Sequence, residues 1–247
     1  MLSSFSDRGA SGSPTPLGRN LTYGLLDSLG RAIVTGHYSD IGFPTEAELA
    51  KQHGVSRSVT REAVKMLTAK GLLSARPRQG TVIQPSRCWN LFDTDVLRWL
   101  LERKFSVELL RQFTQLRLAI EPEAAALAAR FAGDQDRHAI AAGLNRMQAA
   151  EDGHDEPLQA DIAFHVAILS ASKNPFYAQF HDVVATALRT SIRFTNRIKG
   201  RTASIADHAA VERAVAMGDA ATAREAMRLL IQDVLDLIEQ VEGAKAV

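Results

Sequence analysis

Apolar residues recur at helical spacing along most of the chain and take on the short runs of strands in one stretch only. From Asn20 to His37, Leu21, Leu25, Leu29 and Ile33 fall on one face and predict a first helix. Thr45-Glu46-Ala47-Glu48 is a capping box ahead of Leu49 and Ala50, so a second helix starts there, and Gly54 stops it. Ser56 caps a third helix over Arg57 to Ala69, whose apolar back is Val59, Ala63, Met66 and Leu67. Gly71 ends that helix. Leu72 to Ala75 and Thr81 to Ile83 then read as two strands joined by Arg76-Pro77-Arg78-Gln79-Gly80. The predicted unit is a helix-turn-helix followed by a β-wing.

From Asp95 the pattern is helical to the end, with helices expected over 94–103, 106–131, 135–151, 157–171, 175–197, 203–217 and 219–241. Asp134 is placed to cap the third of these, Asn174-Pro175 to open the fifth, and Gly218-Asp219 to separate the last two. The fold class is therefore mainly α: an N-terminal winged helix-turn-helix plus a C-terminal all-α bundle. Residues 1–19, rich in Ser, Gly and Pro, read as a flexible tail, 20–85 as the winged unit, 86–94 as a linker and 95–243 as the bundle. Within the linker, Trp89 and Phe92 are expected to anchor packing between the domains.

Charge sharpens this division. The 247 residues carry a net charge of only +1, but residues 1–90 hold 11 Lys/Arg against 6 Asp/Glu, and residues 91–247 hold 18 against 22. Only the first segment suits a polyanion. A single cysteine, Cys88, excludes an intrachain disulfide and fits a reducing compartment. No long apolar run and no signal-like N-terminus is present, so the expected setting is cytoplasmic with no membrane partner.

On the third helix, Arg57 and Arg61 lie four apart on the face opposite the apolar back, flanked by Ser58, Thr60 and Lys65. Guanidinium forks match guanine edges and phosphates, and the basic turn at Arg76 and Arg78 adds phosphate contacts or minor-groove entry. The segment VSRSVTREAVKML, preceded by FPTEAELA and followed by GLLSARPRQGTVI, resembles the winged helix-turn-helix of GntR-type bacterial transcription regulators. The resemblance implies that Arg57, Ser58, Thr60, Arg61 and the wing at Arg78 and Gly80 contact double-stranded operator DNA. Ala47 stands where many relatives carry a DNA-touching arginine.

The bundle carries polar groups where the period calls for apolar ones. Arg117 falls within the face expected from Leu109, Phe113, Leu116, Ile120, Ala124 and Leu127, and an arginine there needs an anion. Glu121, one turn on, and a ligand carboxylate both qualify. Asp161 and His165 share an arc with Phe164, Ile168 and Leu169, and His208 shares one with Ile205, Val211 and Val215. Such a set either forms a hydrogen-bonded pair or grips a divalent cation such as zinc, manganese or nickel. Arg189 and Arg193 either line a pocket or lie on a solvated face.

The stretches LRLAIEPEAAALAA, ADIAFHVAILSASKNP and DHAAVERAVAMGDAATAREAM are similar to the ligand-binding domain of the FadR subgroup of GntR regulators. There a helical bundle binds a small carboxylate, often through a metal. The resemblance implies Asp161, His165 and His208 as metal ligands, with Zn2+ the expected ion, and Arg117, with Arg189, as effector-binding. The subgroup's frequent fourth ligand, a histidine, falls at Leu230. CWNLFDTDVLRWLLE followed by RLAIEPEAAALAA is similar to repressors of sugar-acid catabolism of the galactonate type.

The function expected is that of a non-enzymatic, homodimeric repressor on a palindromic operator, released by an aldonate such as galactonate. The alternative is a regulator that answers a uronate, dicarboxylate or hydroxy acid without a metal. A metal-dependent enzyme is the rival from another class, since two histidines and an aspartate with open positions could activate water, but no general base is identifiable on a nearby helix face.

Overall fold

The computed structural model describes residues 16–103, 107–186, 188–189 and 204–245. The chain divides into two compact units, Met1–Asn90 and Leu91–Val247. In the first, α1 (Pro16–Val34) packs on α3 (Arg57–Ala69), as does α2 (Glu46–His53). α1 begins at Pro16, inside the expected tail; the tail up to residue 15 lies outside the described residues. Leu25, Leu26, Leu29 and Ile33 form its buried stripe, whereas Leu21 is exposed.

Local chemistry sets the ends of the helix-turn-helix. The Thr45 hydroxyl accepts from Glu48 N, and the Glu48 carboxylate accepts from Thr45 N at 2.8 Å. Caps of this kind contribute about 1 kcal/mol each. Gly54 closes α2 in the left-handed conformation at φ 63°, and Ser56 caps α3 by accepting from Val59 N. Leu49, Ala63 and Leu67 are buried between the helices. The wing is an antiparallel pair, β1 (Leu73–Arg76) and β2 (Gly80–Ile83), in register from Leu73 opposite Ile83 to Arg76 opposite Gly80.

Residues 85–90 fold back on this unit through a 3-10 turn, Ser86–Cys88. Trp89 Nε1 donates to the Gln84 carbonyl at 2.9 Å, and Asn90 N donates to the Lys70 carbonyl at 3.0 Å. Gly71, at φ 79°, lets the Cys88 backbone approach where any Cβ would collide with its carbonyl. Trp89 is thus held by the first unit, whereas Phe92 and Phe180, both of the second unit, stack edge-on at 5.6 Å between centroids.

The second unit holds α4 (Thr94–Arg103), α5 (Val107–Phe131), α6 (Asp134–Glu151), α7 (Pro157–Ala171), the short α8 (Pro175–Ala178), α9 (181–186, with 188 and 189 also helical), α10 (Ile205–Ala216) and α11 (Ala220–Lys245). The expected helix over 175–197 is interrupted at 179–180, where Phe180 turns into the apolar clusters beneath it. Its expected end, including Arg193, lies outside the described residues. α5 packs on α7, α10 and α11, and α6 packs on α7 and α10.

The α6–α7 contact is unusually close because Gly143 leaves room for the Phe164 backbone. Phe164 is fully buried there; removing a side chain of that kind from water contributes about 1.5–3 kcal/mol. Asp134 proves to be the first residue of α6, and the carboxylate of Asp136 accepts from Gly133 N at 2.8 Å in its place. Among the described residues, no helix is long and apolar enough to cross a membrane.

Candidate functional site

The exposed front of α3 carries Arg57, Ser58 and Arg61. Arg61 Nε lies 3.4 Å from the Glu46 carboxylate on α2, a partner that periodicity within one helix does not reveal. Ser58 Oγ is 2.8 Å from Ser56 Oγ. Thr60 corrects the sequence reading: it is 0% exposed, and its hydroxyl donates to the Ser56 carbonyl, so it turns into the unit and away from the front. It directly precedes Arg61, and that single 100° step carries it past the edge of the exposed face.

At the wing tip, Pro77 and Arg78 occupy the middle of a turn closed by Gln79 N donating to the Arg76 carbonyl at 3.2 Å. Arg78 has φ 65°, the position where glycine or asparagine is usual, and Gly80 follows at φ 77°. Arg76, Arg78 and Gly80 are all exposed. A non-glycine residue held there costs roughly 1–2 kcal/mol, so the arginine is kept at the tip against the local backbone preference.

In the bundle, α5, α7 and α10 bring five polar side chains into one buried cluster: Arg117, Glu121, Asp161, His165 and His208. α5 is rotated from the stripe expected of it. Its buried line runs through Leu110, Phe113, Thr114, Arg117, Glu121, Ala124 and Ala128, whereas Leu109, Leu116, Ile120 and Leu127 are only partly buried. Glu121 Oε1 accepts from Arg117 Nε at 2.5 Å, and Glu121 Oε2 accepts from His165 Nδ1 at 2.5 Å. Arg117 Nη2 lies 3.3 Å from both ring nitrogens of His165, so the guanidinium sits over the imidazole instead of aiming at one nitrogen.

Both imidazoles are oriented alike. His208 Nδ1 donates to the Ser204 carbonyl at 2.7 Å, as His165 Nδ1 does to Glu121. Each ring is left with Nε2 toward Asp161 Oδ1, at 3.1 Å for His208 and 3.8 Å for His165. His208 Nε2 is buried and makes no hydrogen bond despite that distance. One ligand atom from each of Asp161, His165 and His208 lies within 4.8 Å of the others.

The electrostatics keep both carboxylates charged. Burial pushes Glu121 up, but Arg117 and His165 beside it outweigh burial and hold its pKa at about 2. Asp161 is likewise pushed up by burial and brought below the usual carboxylate range by His208, His165 and Arg117. A buried carboxylate facing two imidazole nitrogens whose other nitrogens are already committed could hold a divalent metal ion, and Asp161, His165 and His208 form such a candidate set.

Comparison with known proteins agrees with this two-part layout. Residues 24–83 match bacterial regulatory proteins of the gntR family, and residues 112–233 match the FCD domain. YieP of Escherichia coli (strain K12), an uncharacterized HTH-type transcriptional regulator, is 31% identical over 217 residues, 87% of this chain and 94% of that protein. The chain belongs to the GntR family. The galactonate operon transcriptional repressor of the same strain is 33% identical to this GntR protein over 69% of the chain and 75% of the repressor. LutR of Bacillus subtilis, an HTH-type regulator, is 30% identical over 77% of this chain and 88% of its own. A solved structure of Lar, which controls expression of the Listeria monocytogenes agr system, matches with a TM-score of 0.59 at 18% identity, over 93% of this chain and 99% of that one. That last likeness shows the fold alone.

With its FCD domain, this GntR protein is a FadR-subgroup transcription regulator and not an enzyme. The bundle brings Asp161, His165, His208 and Arg117 together as a set. It leaves out Arg189, which is exposed at the end of α9 while Val184, Ala185 and Leu188 turn inward. Leu230 is buried in the main apolar core. The residue undervalued from sequence is Glu121: its spacing from Arg117 was visible, but its contact with His165 crosses from α5 to α7.

Proposed function

We propose that this GntR regulator is a homodimeric repressor that leaves a palindromic operator when a small carboxylate binds in a metal-containing pocket of its bundle. The observation that carries the reading is the convergence of two Nε2 atoms on Asp161 Oδ1, one of them buried without a hydrogen bond. Asp161, His165 and His208 would hold the ion, with Zn2+ fitting two imidazoles and a carboxylate. When bound, the ion supplies Lewis-acid attraction for the oxygens of an acid.

Charge balance favours an anionic effector. Imidazoles that ligate a metal are neutral, so in the loaded site the side chains supply one positive charge, Arg117, and two negative ones, Glu121 and Asp161. A divalent ion leaves a surplus of one positive charge, and one carboxylate cancels it. Arg117 is the cation of the cluster, and guanidinium is the usual partner of such a group. The similarity to a galactonate operon repressor supports an aldonate such as galactonate. A second reading, a different hydroxy acid, is favoured by the 30% identity to a putative L-lactate dehydrogenase operon regulatory protein of Escherichia coli over 74% of this chain.

In the DNA-binding unit, Arg57, Ser58 and Arg61 would enter the major groove, with Arg78 and Gly80 on the wing against the adjacent backbone or minor groove. Two copies related by a two-fold axis present two such faces to a palindrome. A coupling of about 1–3 kcal/mol between effector and operator is enough for a useful switch.

The test is operator binding by Zn2+-loaded protein titrated with D-galactonate, L-lactate, D-glucuronate and succinate. Release by one acid, dependent on Zn2+ and absent in Arg117→Ala, is the expected result. Unchanged operator affinity with every acid, with and without Zn2+, would refute the effector reading.

A further inference from the structure

Metal-binding histidines work only if the correct ring nitrogen faces the ion, and a neutral imidazole has two tautomers that offer opposite nitrogens. In this bundle the choice for His208 is made by a main-chain carbonyl, that of Ser204, one turn earlier on the same helix. His165 has no such local arrangement. Its Nδ1 is met instead by a side chain from another helix, Glu121 Oε2 on α5, at 2.5 Å. Glu121 is 0% exposed and is itself fixed by Arg117, whose Nε donates to the other carboxylate oxygen.

We infer that Glu121 is the positioning residue of the centre: one carboxylate oxygen fixes which nitrogen His165 turns toward Asp161 and His208, and the other is clamped by Arg117. The inference rests on the metal reading of Asp161, His165 and His208, but the contact itself does not. A carboxylate used only to neutralise Arg117 could point both oxygens at the guanidinium as a fork. Here Arg117 Nη2 is 3.4 Å from Oε2, a long contact, while the shorter Oε2 bond goes to His165. The carboxylate is divided between two partners, and the imidazole takes the better half of the second oxygen. An outer carboxylate on a ligating histidine typically raises metal affinity 10–100-fold.

Two measurements test this. The first needs no substitution: long-range 1H–15N correlation spectra of the imidazole nitrogens in metal-free protein. The expected spectrum shows His165 as the Nδ1–H tautomer, and an Nε2–H tautomer overturns the inference. The second is Zn2+ affinity, by competition with a chromophoric chelator, in two double variants that leave no buried charge unpaired. Arg117→Leu with Glu121→Leu removes the acceptor and is expected to lose the Nδ1–H preference and to weaken Zn2+ binding about 10–100-fold.

Arg117→Leu with Glu121→Gln keeps an oxygen for Nδ1 and is expected to recover most of that loss. Wild-type affinity and tautomer in the Leu/Leu variant would reduce Glu121 to a counter-ion for Arg117 and overturn the inference. Wild-type protein that binds no Zn2+ would instead refute the metal reading of the site. The tautomer in the metal-free spectra then decides the role of Glu121 by itself.

Discussion

Nε2 of His208 stands 3.1 Å from Oδ1 of Asp161 in a buried pocket, yet no hydrogen bond joins them. The Ser204 carbonyl engages Nδ1 of the ring, which leaves Nε2 as the atom that a cation beside Asp161 would take. Zn2+ is therefore expected to raise the thermal unfolding midpoint of the wild-type protein. Free ion at 100 times its Kd stabilises by about 2.7 kcal/mol. Asp161→Asn should abolish the rise, because the amide neither carries the charge nor leaves both oxygens as acceptors. An equal rise in the variant, followed by scanning calorimetry, would place the ion elsewhere.

The close approach of α6 and α7 makes Gly143 a sensitive position. A Cβ there would lie 2.8 Å from Phe164 Cα and 3.0 Å from its N, both backbone atoms that cannot step aside alone. Gly143→Ala is expected to cost about 1–3 kcal/mol, as overpacking does. Phe164 directly precedes His165, so Zn2+ affinity should fall as well. Urea unfolding of the metal-free variant measures the first effect, and an unshifted midpoint would mean that the two helices part without penalty.

Arg78 offers a separation of stability from function. Its left-handed φ of 65° suits glycine better than arginine. Arg78→Gly is expected to leave folding stability unchanged or raised by up to about 1 kcal/mol. Operator affinity should nevertheless drop, and the slope of log affinity against log salt should shrink by about 1 as one phosphate contact disappears. A variant that binds the operator as tightly as wild type would remove the wing tip from the interface.

Neighbouring residues on α3 should behave differently. Arg61→Ala is expected to weaken specific binding by about 1–3 kcal/mol if its guanidinium reads a base edge. Thr60→Val, at a buried position whose hydroxyl serves only the Ser56 carbonyl, should change operator affinity by less than about 0.5 kcal/mol. A gel shift with both variants is decisive: a loss in Thr60→Val matching that of Arg61→Ala would return Thr60 to the interface.

The sequence was most readable where one residue settles one local question. The capping box at Thr45, the left-handed stop at Gly54 and the cap at Ser56 locate α2 and α3, and the boundaries Arg57–Ala69 and Pro157–Ala171 appear as expected. Reading failed where tertiary contacts decide. On α5, apolar spacing placed Arg117 on the buried face but also pointed to Leu109, Leu116, Ile120 and Leu127, which are only partly buried because the stripe turns toward Glu121 and the Arg117–Glu121 ion pair. The break at 179–180 carries no glycine or proline to announce it. Arg189 looked like a partner for an anion only because arginine is chemically suited to one; the orientation of α9 turns it outward. The candidate pair four apart, Asp161 and His165, was legible, but the carboxylate that hydrogen-bonds His165 sits 44 residues away in sequence.

The hydrogen bond from Asn90 to the Lys70 carbonyl has a mechanical meaning. Lys70 is the C-cap of α3, and Arg57 stands at the opposite end of that 13-residue helix, about 20 Å away. Residues 85–90 are thereby tied to the butt of α3 instead of trailing from the wing as slack chain. With the Cys88 backbone seated against Gly71, the grip has little play. Both ends of α3 are therefore fixed by hydrogen bonds from residues outside it, Ser56 at one and Asn90 at the other.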